Sequence, residues 1–357
     1  MFDIRSSIIN QKKYKVFYAI IPFLALFIAL FIGGVLIFFA GINPWKAYNY
    51  MLQSIFGNIR LFSEVFTHFV PLVFCALSFA VAYKGGFFNV GGEGQLYFGA
   101  LTATLAGVYI QGLPAFIHIP LVLLTGFIGG AFWCWIAGIL KIKLGADEIL
   151  NTIMLSYLAI LLINFVVMYF LKPANSYISQ SEKIAKSAYF PKLIPHTQIN
   201  LGVILSLLTV IIIYYFLYRS PYGYQIRAIG ENSDAANYAG MNILKGTMTV
   251  IIISGGLAGL AGASMLMGTQ YRLTPAFSPG YGFEGIGAAV MARNNPWGII
   301  LTAFLFALLR VGAGAMQRGV GVPLPISWTI EGIIMILITG SEYLSNKFST
   351  NLIGGRA

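Results

Sequence analysis

The feature that most limits this chain is its succession of apolar runs, each near 20 residues long and separated by short breaks carrying glycine, proline or a basic residue. About 20 residues of helix, rising ~1.5 Å each, cross the ~30 Å hydrocarbon core of a bilayer. Runs of this length dominate over the alternating, roughly 10-residue pattern of a membrane barrel. Backbone groups inside lipid must bond within their own segment, so the spans are expected to be helices. Following the runs gives ten segments, at about 16–40, 65–83, 95–111, 117–140, 149–171, 199–218, 246–268, 284–292, 297–316 and 326–343. The expected fold is all-α, a polytopic integral membrane protein with a transmembrane domain over 16–343 that includes short or interrupted helices. Composition agrees, because 58% hydrophobic and 9% charged residues leave too little polar surface to cover a soluble globule. The first run exceeds the apolar core of a signal peptide and lacks a small-x-small cleavage site, so it is expected to stay as a helix.

Charge sets the expected orientation. Arg5, Lys12, Lys13 and Lys15 precede the first run, which by the positive-inside rule puts 1–15 in the cytoplasm. Threading from there places Lys84, Lys141, Lys143, Arg219, Arg227, Lys245, Arg293, Lys347 and Arg356 inside, with a cytoplasmic loop at 219–245 and a cytoplasmic tail at 344–357. The external loop, 172–198, holds Lys172, Lys183, Lys186 and Lys192 against the rule, but longer loops translocate with little regard for charge. Pro173, Pro191 and Pro195 make it an irregular cap. The net charge of +11 is scattered singly through the loops, which fits topology and contact with membrane lipid and offers no clustered face for nucleic acid. Cys75 and Cys134 lie inside apolar runs as small packing residues, with no metal or catalytic set implied.

Three polar features interrupt the pattern. GGFFNVGGEGQLYFGA, Gly85–Ala100, is crowded with glycine and carries Glu93 between two apolar runs. An ionisable residue at depth needs a partner or a pathway, and broken helix is tolerated there only where it is packed in protein or lines a cavity. Phe88, Asn89 and Glu93 are therefore candidates for an unwound element beside a substrate path, with Asn89 bonding either to a solute or to the kink itself. A fainter echo, GYGFEGIGAAVMA at Gly280–Ala292, carries Glu284. Paired interrupted segments mark transporters with pseudo-symmetric halves, and a chance match among 40 glycines is the alternative. Arg310 and Glu331, each about six residues from the outer end of adjacent expected spans, would lie roughly 9 Å deep and pair. Alternatively Arg310 snorkels outward and Glu331 faces the path.

The loop RSPYGYQIRAIGENSDAANYAGMNILK, Arg219–Lys245, contains the third feature. Asn232 or Ser233 can cap a helix, Asp234 favours its first turn, Ala235, Ala236 and Ala239 are strong formers, and Gly240 ends it. A helix of about two turns does not persist alone in water, so neighbouring spans or another protein must hold it. As a connector it lies on the membrane surface. As a docking helix its alanines and Tyr238 seat in a groove while Arg227 and Glu231 orient the partner from the rim. The chain has no GxxxxGK[ST] phosphate loop, so energy from ATP would have to arrive through such a contact.

FNVGGEGQ at Phe88–Gln95 and RAIGENSDAANYAGMN at Arg227–Asn242 resemble signatures of the ABC-importer permeases for simple sugars, branched-chain amino acids and nucleosides. GADEILNTIMLSYLA, Gly145–Ala159, resembles the nucleoside branch, departing from it at Ser156, where asparagine is common. The likeness runs from about Gly85 to Glu331, and 341–357 falls outside it. It implies a multi-pass subunit of a bacterial cytoplasmic membrane forming half of a nucleoside pathway. The implied partners are a second homologous permease in a heterodimer, an ABC ATPase with two nucleotide-binding halves, and an extracytoplasmic substrate-binding protein. It also implies that this chain is not an enzyme and binds no cofactor, with ATP hydrolysed by a partner subunit. Alternatives are a sugar or branched-chain amino acid permease or, from another class, a proton-coupled secondary transporter. Such a carrier needs a relay, for which Glu93, Glu284, Arg310 and Glu331 are few candidates.

Overall fold

The computed structural model describes residues 24, 27–173 and 176–323, with scattered positions from 325 to 340. These residues form helices and loops, with a lone antiparallel bridge between Lys192 and Asn200. The chain divides into two compact units, 1–58 with 309–357, and 59–308.

In the first unit α1 (Phe27–Phe39) and α2 (Pro44–Gly57) meet at a 115° bend. Asn43 stops the turn and starts α2, its Oδ1 accepting from the backbone N–H of Trp45 (2.9 Å) and Lys46 (3.3 Å). α2 buries Ala47, Met51 and Ile55, one every four residues, and leaves Trp45 and Phe56 exposed.

The second unit holds α3 (Ile59–Lys84), α4 (Gly92–Tyr109), α5 (Ala115–Leu144), α6 (Glu148–Tyr169), α7 (Leu201–Arg219), α8 (Pro221–Glu231), α9 (Ser233–Tyr238), α10 (Ile243–Met265) and α11 (Tyr281–Met291). A π-helical turn, Leu266–Gln270, extends α10. α12 (Pro296–Val320) begins in this unit. Among the described residues six helices are long and apolar enough to cross a membrane: α3, α5, α6, α7, α10 with its π turn, and α12. The bent α1–α2 pair makes a seventh if it counts as one span. Each of the ten expected segments has a helical counterpart, the last through scattered positions only. α2 and α8 were not expected.

Helices α3 and α10 are buried along most of their length. Glycine makes this possible on α10. A Cβ on Gly259 would lie 2.2 Å from the Gly126 carbonyl oxygen, and one on Gly262 would lie 2.1 Å from that of Leu96. Close backbone approach replaces the missing hydrophobic drive between helices in lipid. By contrast α6 buries only the stripe Thr152, Ser156, Ala159, Ile163 and Val167, and turns Leu161 and Phe165 outward.

The connection before α7 is irregular, as its prolines require, yet firmly tied to the bundle. Ala185 N donates to Gly107 O (2.7 Å), Ile184 N to Tyr271 O (3.0 Å) and Phe190 N to Met267 O (3.0 Å). Lys172, Lys183, Lys186 and Lys192 lie on this side. Lys84, Lys141, Lys143, Arg219, Arg227, Lys245 and Arg293 gather at the opposite end, beside α8 and α9.

Candidate functional site

Past Lys84 the helix stops. Gly86 turns with φ 73°, residues 87–90 run without helix, and α4 starts at Gly92. Backbone freed inside a bundle must find partners, and polar side chains supply them. Asn89, 2% exposed, pairs its amide with that of Gln95 in both directions, Nδ2 to Oε1 at 2.9 Å and Nε2 to Oδ1 at 2.8 Å. Its Nδ2 also donates to Ser254 Oγ on α10 (2.8 Å), and its Oδ1 accepts from Gly91 N (2.9 Å). Two hydroxyls of α6 complete the set, Thr152 Oγ1 accepting from Val90 N (3.2 Å) and Ser156 Oγ from Gly94 N (3.3 Å). The hydrogen bonds shown for Asn89 thus hold the break itself.

The second interrupted segment is a coil over 271–280 followed by α11. Gly282, in the first turn of α11, donates its N–H to Glu93 Oε2 at 2.6 Å. Here the backbones touch: a Cβ on Gly282 would sit 2.1 Å from Glu93 N. α4 and α11 therefore meet N-terminus to N-terminus, with the Glu93 carboxyl group, 2% exposed, between them. Both helix starts present N–H groups without intrahelical partners and positive dipole ends, which is where an acidic side chain is most favoured. The two glycine-rich segments are spatial partners.

Gly285 on α11 packs against Cys75 of α3, a Cβ there reaching within 2.6 Å of Cys75 Cβ. Cys75 is nine residues (84 − 75) from the end of α3, so this contact lies ~13 Å into the bundle. Near it the Tyr281 hydroxyl bonds His68 Nδ1, and Ser278 N donates to the Tyr97 hydroxyl (3.3 Å). Glu284 sits half-buried in the first turn of α11. Phe88 points elsewhere, its ring edge-on to Phe79 (5.2 Å) and Tyr83 (6.3 Å), beside a 460 Å³ cavity lined also by Lys84, Tyr218, Arg227 and Glu231.

At that end Ser220 caps α8, its Oγ accepting from Gly223 N (3.0 Å), and Asn232 Oδ1 caps α9 by accepting from Ala235 N (2.9 Å). Gly240, with φ 78°, ends the loop helix as its type predicts. Two expectations change. Ala236 is 3% exposed and anchors α9 inward, so the outward groups of α9 are Ser233, Asp234, Ala235 and above all Tyr238, 94% exposed. Arg227 is no rim charge: its Nε donates to Leu217 O (3.0 Å) and its guanidinium lies 5.2 Å from the Tyr218 ring centre. Glu231 does stand exposed. Sequence reasoning missed Gly230, where a Cβ would lie 2.3 Å from Lys84 O and 2.8 Å from Gly86 N. The α8 backbone thus rests on the turn that opens the unwound segment.

Arg310 lies on α12, which runs to Val320, so it is ten residues (320 − 310) from that end, ~15 Å, instead of six. Glu331 lies outside the described residues, as do 1–23 and 341–357. Among the described residues no three His, Cys, Asp or Glu side chains gather as a metal site would require.

A family model described as the branched-chain amino acid transport system / permease component matches residues 61–339. The chain belongs to this permease family. It is 32% identical to the guanosine ABC transporter permease protein NupP of Bacillus subtilis over 325 residues, 90% of this chain and 93% of that one. It is 30% identical over 338 residues to the nucleoside ABC transporter permease protein NupB of Lactococcus lactis, 92% of each chain. A glucose ABC transporter permease protein of Haloferax volcanii is 30% identical over 332 residues, 90% of this chain and 87% of its own. Each of these three organisms also has a second, more distant match named for the same substrate. The permease is a multi-pass membrane protein of an ABC transport system.

Proposed function

We propose that the permease forms half of the membrane path of an ATP-driven nucleoside importer, beside a second homologous permease, an ABC ATPase and an extracytoplasmic substrate-binding protein. The observation that carries this reading is the near full-length match to guanosine and nucleoside permeases at 30–32% identity. The paired matches within single organisms support a heterodimer. The glucose relative keeps a simple sugar as the second reading. With the basic end in the cytoplasm by the positive-inside rule, α8–α9 face the ATPase, which hydrolyses ATP while this chain binds no cofactor.

Coupling then has a material route. Tyr238 and the outward side of α9 dock the ATPase, α8 carries the displacement, and Gly230 delivers it to Gly86 at the mouth of the break. From there Asn89 and Glu93 tie the movement to α10 and α11. Asp234 and Glu231 supply orienting charge at the dock, and Glu284 lies on the helix that the junction would move.

The test is guanosine uptake by the four-component complex reconstituted in vesicles. ATP should drive it, and Tyr238→Ala should lower it at least tenfold, the loss of an aromatic anchor worth about 2 kcal/mol, while the permease stays in the membrane. Uptake driven by a proton gradient without ATP would contradict the reading.

A further inference from the structure

At the end opposite α8 and α9 lies a 580 Å³ cavity lined by Arg60, Glu64, Thr67, Lys192, His196 and Thr269. Its size falls in the ~300–1,000 Å³ range of small-molecule sites. One wall is the first three turns of α3. The other belongs to the segment before α7, tied to α3 by Gln198 N donating to Ser63 Oγ (3.2 Å). Within this wall the Thr67 Oγ1 is buried and has no hydrogen-bond partner. Buried hydroxyls are ordinarily satisfied, so one without a partner on a residue that lines the cavity calls for a partner from outside the chain. Glu64, one turn earlier on α3, likewise makes no hydrogen bond or ion pair among the described residues.

The cavity also leads somewhere. Residues 60, 64, 67, 68, 71 and 75 recur at helical spacing and so share one face of α3. Down that face, next to Thr67, His68 bonds the hydroxyl of Tyr281, the first residue of α11. The next residue, Gly282, holds Glu93. Contacts thus lead from the cavity through His68 and Tyr281 to the junction of the two interrupted segments, with ~16 Å along α3 from Glu64 to Cys75 (75 − 64 = 11 residues).

We propose that this cavity is a binding site for a neutral, hydroxyl-bearing solute on its way to the junction, with Thr67 and Glu64 as the residues that hold it. The inference rests on the nucleoside reading, and a ribose fits its chemistry. The Glu64 carboxyl oxygens accept from a vicinal diol, and the Thr67 hydroxyl donates to or accepts from the sugar, two contacts that need no charge on the ligand.

The experiment uses the reconstituted four-component complex with saturating, preloaded binding protein. Uptake of guanosine and of 2′,3′-dideoxyguanosine is compared in wild type, Thr67→Val, Thr67→Ser and Glu64→Gln. Wild type should favour guanosine. Thr67→Val should slow guanosine about tenfold with Thr67→Ser restoring it, and Glu64→Gln should bring the guanosine-to-dideoxyguanosine ratio close to one. Separately, Lys192→Cys exposed to an impermeant maleimide should be protected at least fivefold by guanosine, since residue 192 is exposed and lines the cavity while the native Cys75 and Cys134 are buried. An unchanged ratio in Glu64→Gln, or no protection of the introduced thiol, overturns the site and leaves the cavity to water. A wild type that carries glucose and not guanosine overturns the nucleoside reading instead, and the same variants assayed with glucose against 1,2-dideoxyglucose then decide the cavity.

Discussion

The two interrupted segments meet at one junction but are built differently. The coil of the first, 85–91, uses a single left-handed position, Gly86, and its polar groups are closed by the buried amides of Asn89 and Gln95 with Ser254, Thr152 and Ser156. The coil of the second, 271–280, is left-handed at Tyr271 (φ 59°), Ala276 (φ 51°) and Gly280 (φ 104°), two of them not glycine. Its support comes from other segments: Ser181 N to Leu273 O (2.8 Å), Leu273 N to Ser181 Oγ (2.9 Å), Ile184 N to Tyr271 O (3.0 Å), Ala276 N to Asn164 Oδ1 (3.0 Å), Gln270 Nε2 to Phe277 O (3.1 Å) and Ser278 N to the Tyr97 hydroxyl (3.3 Å). Tyr271 stacks on Tyr189 at 4.1 Å, and burial, then that neighbour, pushes its phenol above the usual range, so it stays a donor to Gly268 O (3.1 Å). Strained backbone persists where the surrounding structure over-determines it, and these bonds do so here. The α4 side closes on its own buried amides, and the α11 side carries strained backbone pinned by other segments.

Breaking the contact between them should have the largest effect. In Gly282→Ala the new Cβ would meet Glu93 N at 2.1 Å and Glu93 Cα at 2.4 Å, backbone atoms with no flexible end to yield. A loss of about 3 kcal/mol is expected, seen as a lower melting temperature of the solubilised permease and abolished uptake. Wild-type melting would place the two helix starts apart. Easing strain on the α11 side should do less. A left-handed alanine costs ~1 kcal/mol, and part of its relief is offset by the freer unfolded chain of a glycine. Ala276→Gly should therefore raise stability by about 0.5 kcal/mol, and a drop in melting temperature would remove the contrast in strain.

Much of this was legible in the sequence where chemistry is local. Apolar length marked the spans, GGEG marked the break, and Asn232 with Gly240 bracketed α9. What escaped depends on partners far along the chain. Glu93 bonds a backbone N–H 189 positions away, and no side-chain pattern announces a backbone donor. Phe88 and Asn89 were grouped together, yet successive side chains on unwound backbone point to opposite sides, so one faces the cavity beside α8 and the other the buried amides. α2 and α8 were hidden because each is apolar on one stripe only, too polar on average to read as a span. Ala236 faces inward because an alanine in a short helix serves the bundle as readily as a partner.

The most direct test of the junction is guanosine uptake by Glu93→Gln and Glu93→Leu at equal membrane levels. Glutamine keeps an oxygen for the Gly282 N–H and can still sit between the two helix starts. Leucine leaves that N–H buried and unpaired, at a cost of about 1–3 kcal/mol. Uptake should remain substantial in the glutamine variant and fall about tenfold or more in the leucine variant. Equal uptake by the two would show that Glu93 is not the group joining the interrupted helices.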